Sequence, residues 1–308
     1  MLRCTFAVLF TALFATLGST NVALAQPADP AQLTDRATTD APDENVTTFA
    51  VNGGFVGSTG NTQAWTLTLG ASFRLVRGRH ALSLDEAFTY GRADVDINDD
   101  TDFEDTVRNS VARLRYDVFL TERDAIFASI VHRWDTFAGL DTRLQNQIGY
   151  LRNLYVAKDD EDEQTQRLWV EAGYDLTWDN LHPDPLLVDN PDAMDPDACA
   201  GDAPPGDCFL TLDDTVIVHA ARFYAGYDGK LGENAQLVIG LEVLPALEGP
   251  DQGEDYDVRL NFDAALRTTL FDDLKLELAF RLLHDTEPVP GALSTDTQTL
   301  VSLIYSVL

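Results

Sequence analysis

The sequence predicts an all-β protein, a transmembrane antiparallel β-barrel of about twelve strands with up-and-down topology. Apolar and polar residues alternate along most of the chain, charged residues recur on the polar face, and short connections alternate with long ones. No segment after residue 25 holds the roughly 18 uninterrupted apolar residues that a transmembrane helix needs. Strands are therefore the elements predicted to cross a membrane.

The front of the chain predicts export. Arg3 is followed by an apolar run over residues 6–17 and by the small-residue cleavage site Ala23-Leu24-Ala25, which is the pattern of a signal peptide. The next stretch is rich in Asp, Ala, Pro and Thr and has no periodicity, so a flexible leader is predicted there. The predicted domains are a signal peptide over residues 1–25, a flexible leader over residues 26–46 and an outer-membrane β-barrel over residues 47–308.

Alternation places the strands. From Trp65 to Leu75 the apolar residues fall at every odd position, with polar or small residues between them. This is the apolar-out, polar-in pattern of a membrane-sized strand. The same test along the chain predicts twelve strands, at 48–57, 63–75, 81–91, 107–120, 125–136, 143–156, 167–179, 215–228, 235–245, 256–270, 274–285 and 297–307.

The connections between these strands fall into two groups. Compact connections are predicted near residues 76–80, 121–124, 157–166, 229–234 and 271–273. Longer connections are predicted near residues 92–106, 180–214, 246–255 and 286–296. Short turns at one end and long loops at the other are typical of outer-membrane barrels.

Charges on the polar face separate a barrel from a soluble sandwich, because a dry sandwich core would not accept so many of them. The charged residues predicted on that face include Arg113, Arg115, Asp117, Arg133, Asp135, Glu171, Asp175, Arg222 and Arg281. Aromatic residues near strand ends fit interfacial girdles, namely Trp65, Tyr90, Trp134, Trp178, Tyr227 and Tyr305. Glu86, Arg152 and the histidines fall on outward positions and are exceptions, which indicates either interfacial positions or a local slip in the assigned register.

The chain is strongly acidic, and this limits its partners. Its 21 basic and 51 acidic residues give a net charge of −30; loss of Arg3 with the signal peptide would make it −31. Such a charge argues against attraction to nucleic acid. The expected partners are outer-membrane lipids and the barrel-assembly machinery, and the sequence leaves the oligomeric state open.

Two small motifs lie in predicted loops. Cys199 and Cys208 flank eight residues in the longest loop, and an exported pair in such a turn-rich segment predicts a disulfide. The acidic segment Asp94–Asp100 begins like a calcium loop, but Asp99 and Asp105 stand where the motif needs glycine and glutamate. No metal site and no cofactor are therefore predicted.

A family resemblance rests on two segments. The first is Gly53-Gly54-Phe55 followed by Gly60-Asn61-Thr62, and the second is residues 125–143 with Arg133, Asp135, Phe137, Gly139-Leu140 and Arg143. The chain resembles domain-of-unknown-function family 481, described as salt-induced outer-membrane proteins, over most of residues 48–308. The resemblance implies a barrel, an outer-membrane location and a link to salt stress, and it supplies no catalytic residues.

The predicted function is that of a non-enzymatic envelope protein, either a narrow channel or a structural barrel. The alternative is an outer-membrane lipid hydrolase, which would need a serine and a histidine together near the lipid-facing rim. His132, His219 and His284 are candidates by exposure, yet none has a serine two residues away on its own face. No catalytic site is assigned.

The hairpin around residues 271–273 predicts a specific register. A three-residue loop would pair Leu270 with Leu274, so that partners across the hairpin have numbers summing to 544. That register matches the apolar faces and also places opposite charges together on the lumen side. The predicted lumen pairs are Arg267 with Glu277, Asp263 with Arg281, and Arg259 with Asp285.

Overall fold

The structure is a computed structural model. It describes residues 45–58, 64–97, 100–137, 139–159, 164–181, 186–189, 209–212, 215–232, 234–247, 257–271, 273–288 and 293–307. The predicted signal peptide and nearly all of the predicted leader, together with Cys199 and Cys208, lie outside these residues. In the described part of the chain, no helix is long and apolar enough to cross a membrane.

Fourteen strands are present in the described residues, and twelve of them close into an antiparallel barrel. The barrel strands are β1 Val46–Ser58, β2 Ala64–Arg77, β3 His80–Ile97, β4 Asp100–Phe119, β5 Asp124–Asp135, β6 Leu140–Lys158, β7 Gln164–Leu181, β10 Thr215–Lys230, β11 Ala235–Pro245, β12 Val258–Phe271, β13 Leu274–Asp285 and β14 Thr295–Ser306. The other two strands, β8 Leu186–Asp189 and β9 Phe209–Leu212, form a separate two-stranded sheet.

Each barrel strand pairs with its neighbours in chain order, and β7 pairs with β10 across the β8–β9 excursion. Closure occurs between the first and last strands, where Ala50 lies opposite Ser306 and Gly53 opposite Leu303. A closed ladder leaves no unpaired strand edge, so the backbone polar groups along the barrel wall bond to one another. The predicted up-and-down barrel of about twelve strands is confirmed.

Every predicted strand overlaps one barrel strand, but two predicted loops were wrong in part. Residues 92–97 and 100–106 continue β3 and β4, with a register shift between Gly91 and Arg92 and an ion pair between Arg92 and Asp105. A backbone ladder can continue beyond the apolar belt on polar residues, so loss of alternation did not mark the strand ends. In the predicted loop 180–214, β7 runs on to Leu181 and the β8–β9 hairpin follows.

The strands alternate between an inner and an outer face. On β4, Arg115 is 2% exposed and points inward, while its neighbour Leu114 is 43% exposed and points outward. The period of two in the sequence therefore becomes a charged interior and an apolar exterior. Glu86 and Arg152 are exposed on the outer face, so the predicted register did not slip at these positions.

The connections at one end of the barrel are short, as between β2 and β3 at residues 78–79 and between β12 and β13 at residues 272–273. Gly78 has φ +55°, a left-handed conformation that favours glycine in a tight turn. We call this end the turn end. The opposite end has the longest connection, residues 182–214, but also one of two residues, 98–99, so the predicted division into short and long ends holds only in part.

The register of the β12–β13 hairpin has the predicted sum of 544 from Arg259 opposite Asp285 to Thr269 opposite Lys275. The pairing of Leu270 with Leu274 was wrong, because Phe271 lies opposite Leu274. An irregularity between Thr269 and Phe271 adds one residue to β12, and the turn shortens from three residues to two.

Candidate functional site

The lumen holds a network of buried ion pairs. The Arg115 guanidinium lies 2.9 Å from Asp117 and 3.0 Å from Glu171. The other carboxylate oxygen of Glu171 accepts a hydrogen bond from Arg222, whose Nε lies 2.6 Å from Glu242. Glu171 and Arg222 have fully buried side chains, so their charges are neutralised by each other and not by water.

This network crosses the lumen. Arg115 lies on β4 and Glu171 on β7, with β5 and β6 between them in the barrel wall. A second crossing joins Arg259 on β12 to Asp175 on β7 at 3.5 Å. Such contacts depend on the curvature of the closed barrel, because strands that far apart would not touch in a flat sheet.

The structure brings together two of the three predicted lumen pairs. Arg267 Nε lies 2.5 Å from Glu277, and Arg281 Nε lies 2.9 Å from Asp263, both between adjacent strands. Arg259 stands opposite Asp285 in the register, yet the two side chains do not form an ion pair. The Arg259 guanidinium points across the lumen to Asp175 and also donates to Thr177 Oγ1 at 3.2 Å.

An apolar cluster fills the lumen beside the charged network, towards the turn end. It consists of Val76, Ala81, Phe119, Ala125, Phe127, Leu151, Trp169 and Tyr224, all buried. The Arg115 guanidinium stacks 4.1 Å from the centre of the Phe127 ring, and that of Arg167 stacks 4.2 Å from the Trp169 ring. These stacks join the apolar and charged parts of the lumen into one packed unit.

Glycines make room for the aromatic rings. Phe127 lies opposite Gly149, and Trp169 lies opposite Gly226. A Cβ added at Gly226 would stand only 2.2 Å from the Trp169 ring. The sequence analysis placed charged residues on the inner face and did not predict this cluster; the available signal was an aromatic residue, such as Trp169, on the same face as the charges.

The two sides of the lumen differ. We call the inner faces of β4, β5, β6, β7 and β10 the dense wall, because most of their side chains are buried. We call the inner faces of β14, β1 and β2 the open wall, because most of their side chains are partly exposed and few are charged. Asn52, Ser72, Gln298 and Leu300 are examples from the open wall.

A cavity of ≈ 310 Å³ lies at the turn end of the lumen. Its lining includes Lys230, Gln236, Arg267 and Lys275, from β10 to β13. Strands β7 and β10 contribute to both features, because Gln164 and Lys230 line the cavity while Trp169 and Tyr224 belong to the apolar cluster. The turn end is therefore partly filled and partly open to solvent.

The histidines do not assemble a hydrolase site in the described part of the chain. His219 Nδ1 bonds with the Tyr174 hydroxyl, and His284 Nδ1 lies 2.8 Å from Thr295 Oγ1. No serine among the described residues forms a hydrogen bond with a histidine. The geometry gives no support to the lipid-hydrolase alternative. The described residues also contain no group of three His, Cys, Asp or Glu side chains placed to hold a metal ion.

The predicted disulfide between Cys199 and Cys208 remains a prediction. The flanking strands β8 and β9 pair Asp189 with Phe209.

Comparison with known proteins places the chain in a family. No curated protein matches it. Solved structures similar to it include the NanC porin (8% identity, TM-score 0.44, 85% of this chain and 100% of that chain). A second is the translocator domain of the autotransporter NalP from Neisseria meningitidis (11% identity, TM-score 0.41, 90% of this chain and 91% of that chain). A third is an outer membrane channel from Pseudomonas putida F1 (11% identity, TM-score 0.40, 88% of this chain and 99% of that chain). The profile of the family described as "Protein of unknown function, DUF481" matches residues 51–307, and the chain belongs to that family.

Proposed function

We propose that the chain is a non-enzymatic barrel of the bacterial outer membrane that forms a narrow channel along its open wall. The observation that carries this proposal is the contrast inside the lumen, where buried ion pairs face partly exposed, mostly uncharged side chains. A lumen packed on one side and solvated on the other leaves a restricted path for water and small solutes.

The outer surface supports a membrane location. Large apolar side chains are exposed on outward positions around the barrel, including Leu69, Leu84, Leu114, Ile130, Ile148, Phe223, Leu241, Leu278 and Val301. Aromatic residues border this belt, as where Trp65 and Tyr90 meet edge to face at 5.5 Å. Such a surface would be costly in water and suits hydrocarbon with interfacial girdles.

Planar-bilayer conductance tests the channel. The purified barrel should conduct weakly, and Asn52→Trp, which places a large ring on the open wall, should lower the conductance severalfold. Val51→Trp is the matched control, because Val51 is the adjacent residue and faces outward. If the wild-type barrel inserts into the bilayer and never conducts, the channel proposal is wrong and a purely structural role for the barrel is favoured.

The link to salt stress, which the family resemblance implies, is part of the same proposal. A narrow channel in the envelope would matter most when external salt changes the flux of water and ions. Deleting the gene that encodes this chain should then slow bacterial growth after a rise in external salt more than it slows growth at constant salt. If the deletion has the same effect on growth in both conditions, the link to salt stress is wrong, but the channel proposal is unaffected.

A further inference from the structure

Two ionisable side chains stand on the apolar exterior. Glu86 on β3 and His132 on β5 are both exposed and point outward. Neither forms a hydrogen bond or an ion pair with any residue that the structure describes. A third polar residue, Asn146 on β6, points outward opposite Ile130, one row nearer the turn end than His132, and also lacks a bonded partner in the described chain.

Glu86 lies well inside the apolar belt. On its own strand it is six residues after His80, at the turn end, and four residues before Tyr90, which contacts Trp65. A tilted strand rises about 2.5 Å per residue along the barrel axis, so His80 to Tyr90 spans about 25 Å, the height of an apolar belt. Glu86 is therefore about 10 Å or more from either border.

Apart from Asn146, the side chains around Glu86 and His132 are small or apolar. Glu86, Ala112 and His132 form one row across β3, β4 and β5. The next row towards the turn end is aliphatic, with Leu84, Leu114 and Ile130 exposed. On the other side, Phe88 and Trp134 approach each other at 6.3 Å. The result is an outer patch with an acid and a base on either side of an alanine.

We infer that this patch binds a second copy of the chain in the membrane. A lone carboxylate or imidazole facing lipid is costly, and such residues usually have a partner. In a two-fold dimer every contact occurs twice: if one residue of the first copy contacts a second residue of the other copy, the same two residues also meet with the copies exchanged. With the axis near Ala112, Glu86 of each copy faces His132 of the other, so the patch complements itself in charge, and Ala112 allows close approach. This inference rests on the proposed membrane location.

Cysteine crosslinking in native membranes tests the dimer. In a background carrying Cys4→Ser, Cys199→Ser and Cys208→Ser, Ala112→Cys should form a disulfide-linked dimer on mild oxidation. The matched control is Ala264→Cys, because Ala264 is also a partly exposed, outward alanine but lies on β12. We expect at least about tenfold more crosslinked dimer with the cysteine at position 112 than at position 264, which corresponds to a difference of about 1.4 kcal/mol in the free energy of association.

A charge exchange separates the proposed pairing from simple apolar contact. Glu86→His should lower crosslinking at position 112 about tenfold, since both pairs of the dimer are lost. Adding His132→Glu should restore it. Equal crosslinking at positions 112 and 264, or a double variant no better than the single one, would overturn the dimer. Heat-modifiable mobility in the outer-membrane fraction reports the barrel separately, and its absence would overturn the proposed location.

Discussion

The dense wall and the open wall belong to one barrel but place different demands on sequence. On the dense wall each buried charge needs a partner at a fixed distance, as Glu171 has in Arg115 and Arg222. On the open wall small side chains such as Ser72 face solvent. Rigidity is therefore expected to come from the dense wall, and permeation from the open wall.

Removing the shared carboxylate of the dense wall should have the largest effect. Glu171→Ala leaves Arg115 with Asp117 and Arg222 with Glu242, so each arginine keeps one partner while losing another. We expect a loss of about 3 kcal/mol in the free energy of unfolding, at the low end for a broken buried pair. Denaturant unfolding of the barrel in lipid vesicles measures it.

The control for this variant is Glu122→Ala, which removes the same charge from an exposed turn. It should change the free energy of unfolding by less than about 0.5 kcal/mol. Equal losses at the two positions would contradict the view that the lumen pairs hold the dense wall together.

The sequence predicted the barrel and the hairpin pairs but not this network. Alternation fixes which face a side chain occupies, and a short turn fixes the register of its hairpin, so Arg267 with Glu277 could be predicted. Arg115 with Glu171 could not, because it joins strands that are not neighbours and depends on the curvature of the closed barrel. For the same reason Arg259 was assigned to Asp285 when its guanidinium pairs with Asp175.

Overpacking the dense wall should have the next largest effect. Gly226→Ala would bring a Cβ to 2.2 Å from the buried Trp169 ring, and we expect a loss of about 1–3 kcal/mol. Gly53→Ala is the control, because its nearest contact would be Leu69 at 3.7 Å, an ordinary distance. Trp169→Leu should reduce the cost of Gly226→Ala; strictly additive losses would show that the ring is not the obstacle.

Reversing one predicted pair sharpens the comparison between adjacent-strand pairs and lumen-crossing pairs. Arg267→Glu places two carboxylates together and should destabilise the barrel by about 1 kcal/mol. Adding Glu277→Arg should recover much of that loss, since it restores opposite charges at the two positions; the recovery is incomplete because Glu277 also accepts a hydrogen bond from Ser302 at 3.3 Å. Heat resistance of each variant on gels measures the effect. Losses that simply add would contradict the pairing.

The smallest effect should come from the open wall, and a matched pair of serines isolates it. Ser129 lies on the dense wall, where its buried hydroxyl donates to Gln147 at 3.1 Å. Ser72 lies on the open wall, is partly exposed and forms no hydrogen bond with any described residue. Ser129→Ala leaves the Gln147 carbonyl without this donor and should cost about 0.5 kcal/mol or more.

Ser72→Ala should leave the free energy of unfolding unchanged within about 0.5 kcal/mol, because its hydroxyl is partly exposed to solvent and has no hydrogen-bond partner among the described residues. Its effect should instead be on permeation, since the change removes a polar group from the proposed path. Ser72→Lys extends the test by adding a positive charge there, and it should shift the ion selectivity measured in bilayers towards anions. The same substitution at Ser129 should unfold the barrel before any selectivity can be measured, because a lysine there would be buried without a carboxylate opposite it. If Ser72→Lys destabilises the barrel as strongly as Ser129→Lys, the open wall is packed like the dense one and the channel has no room.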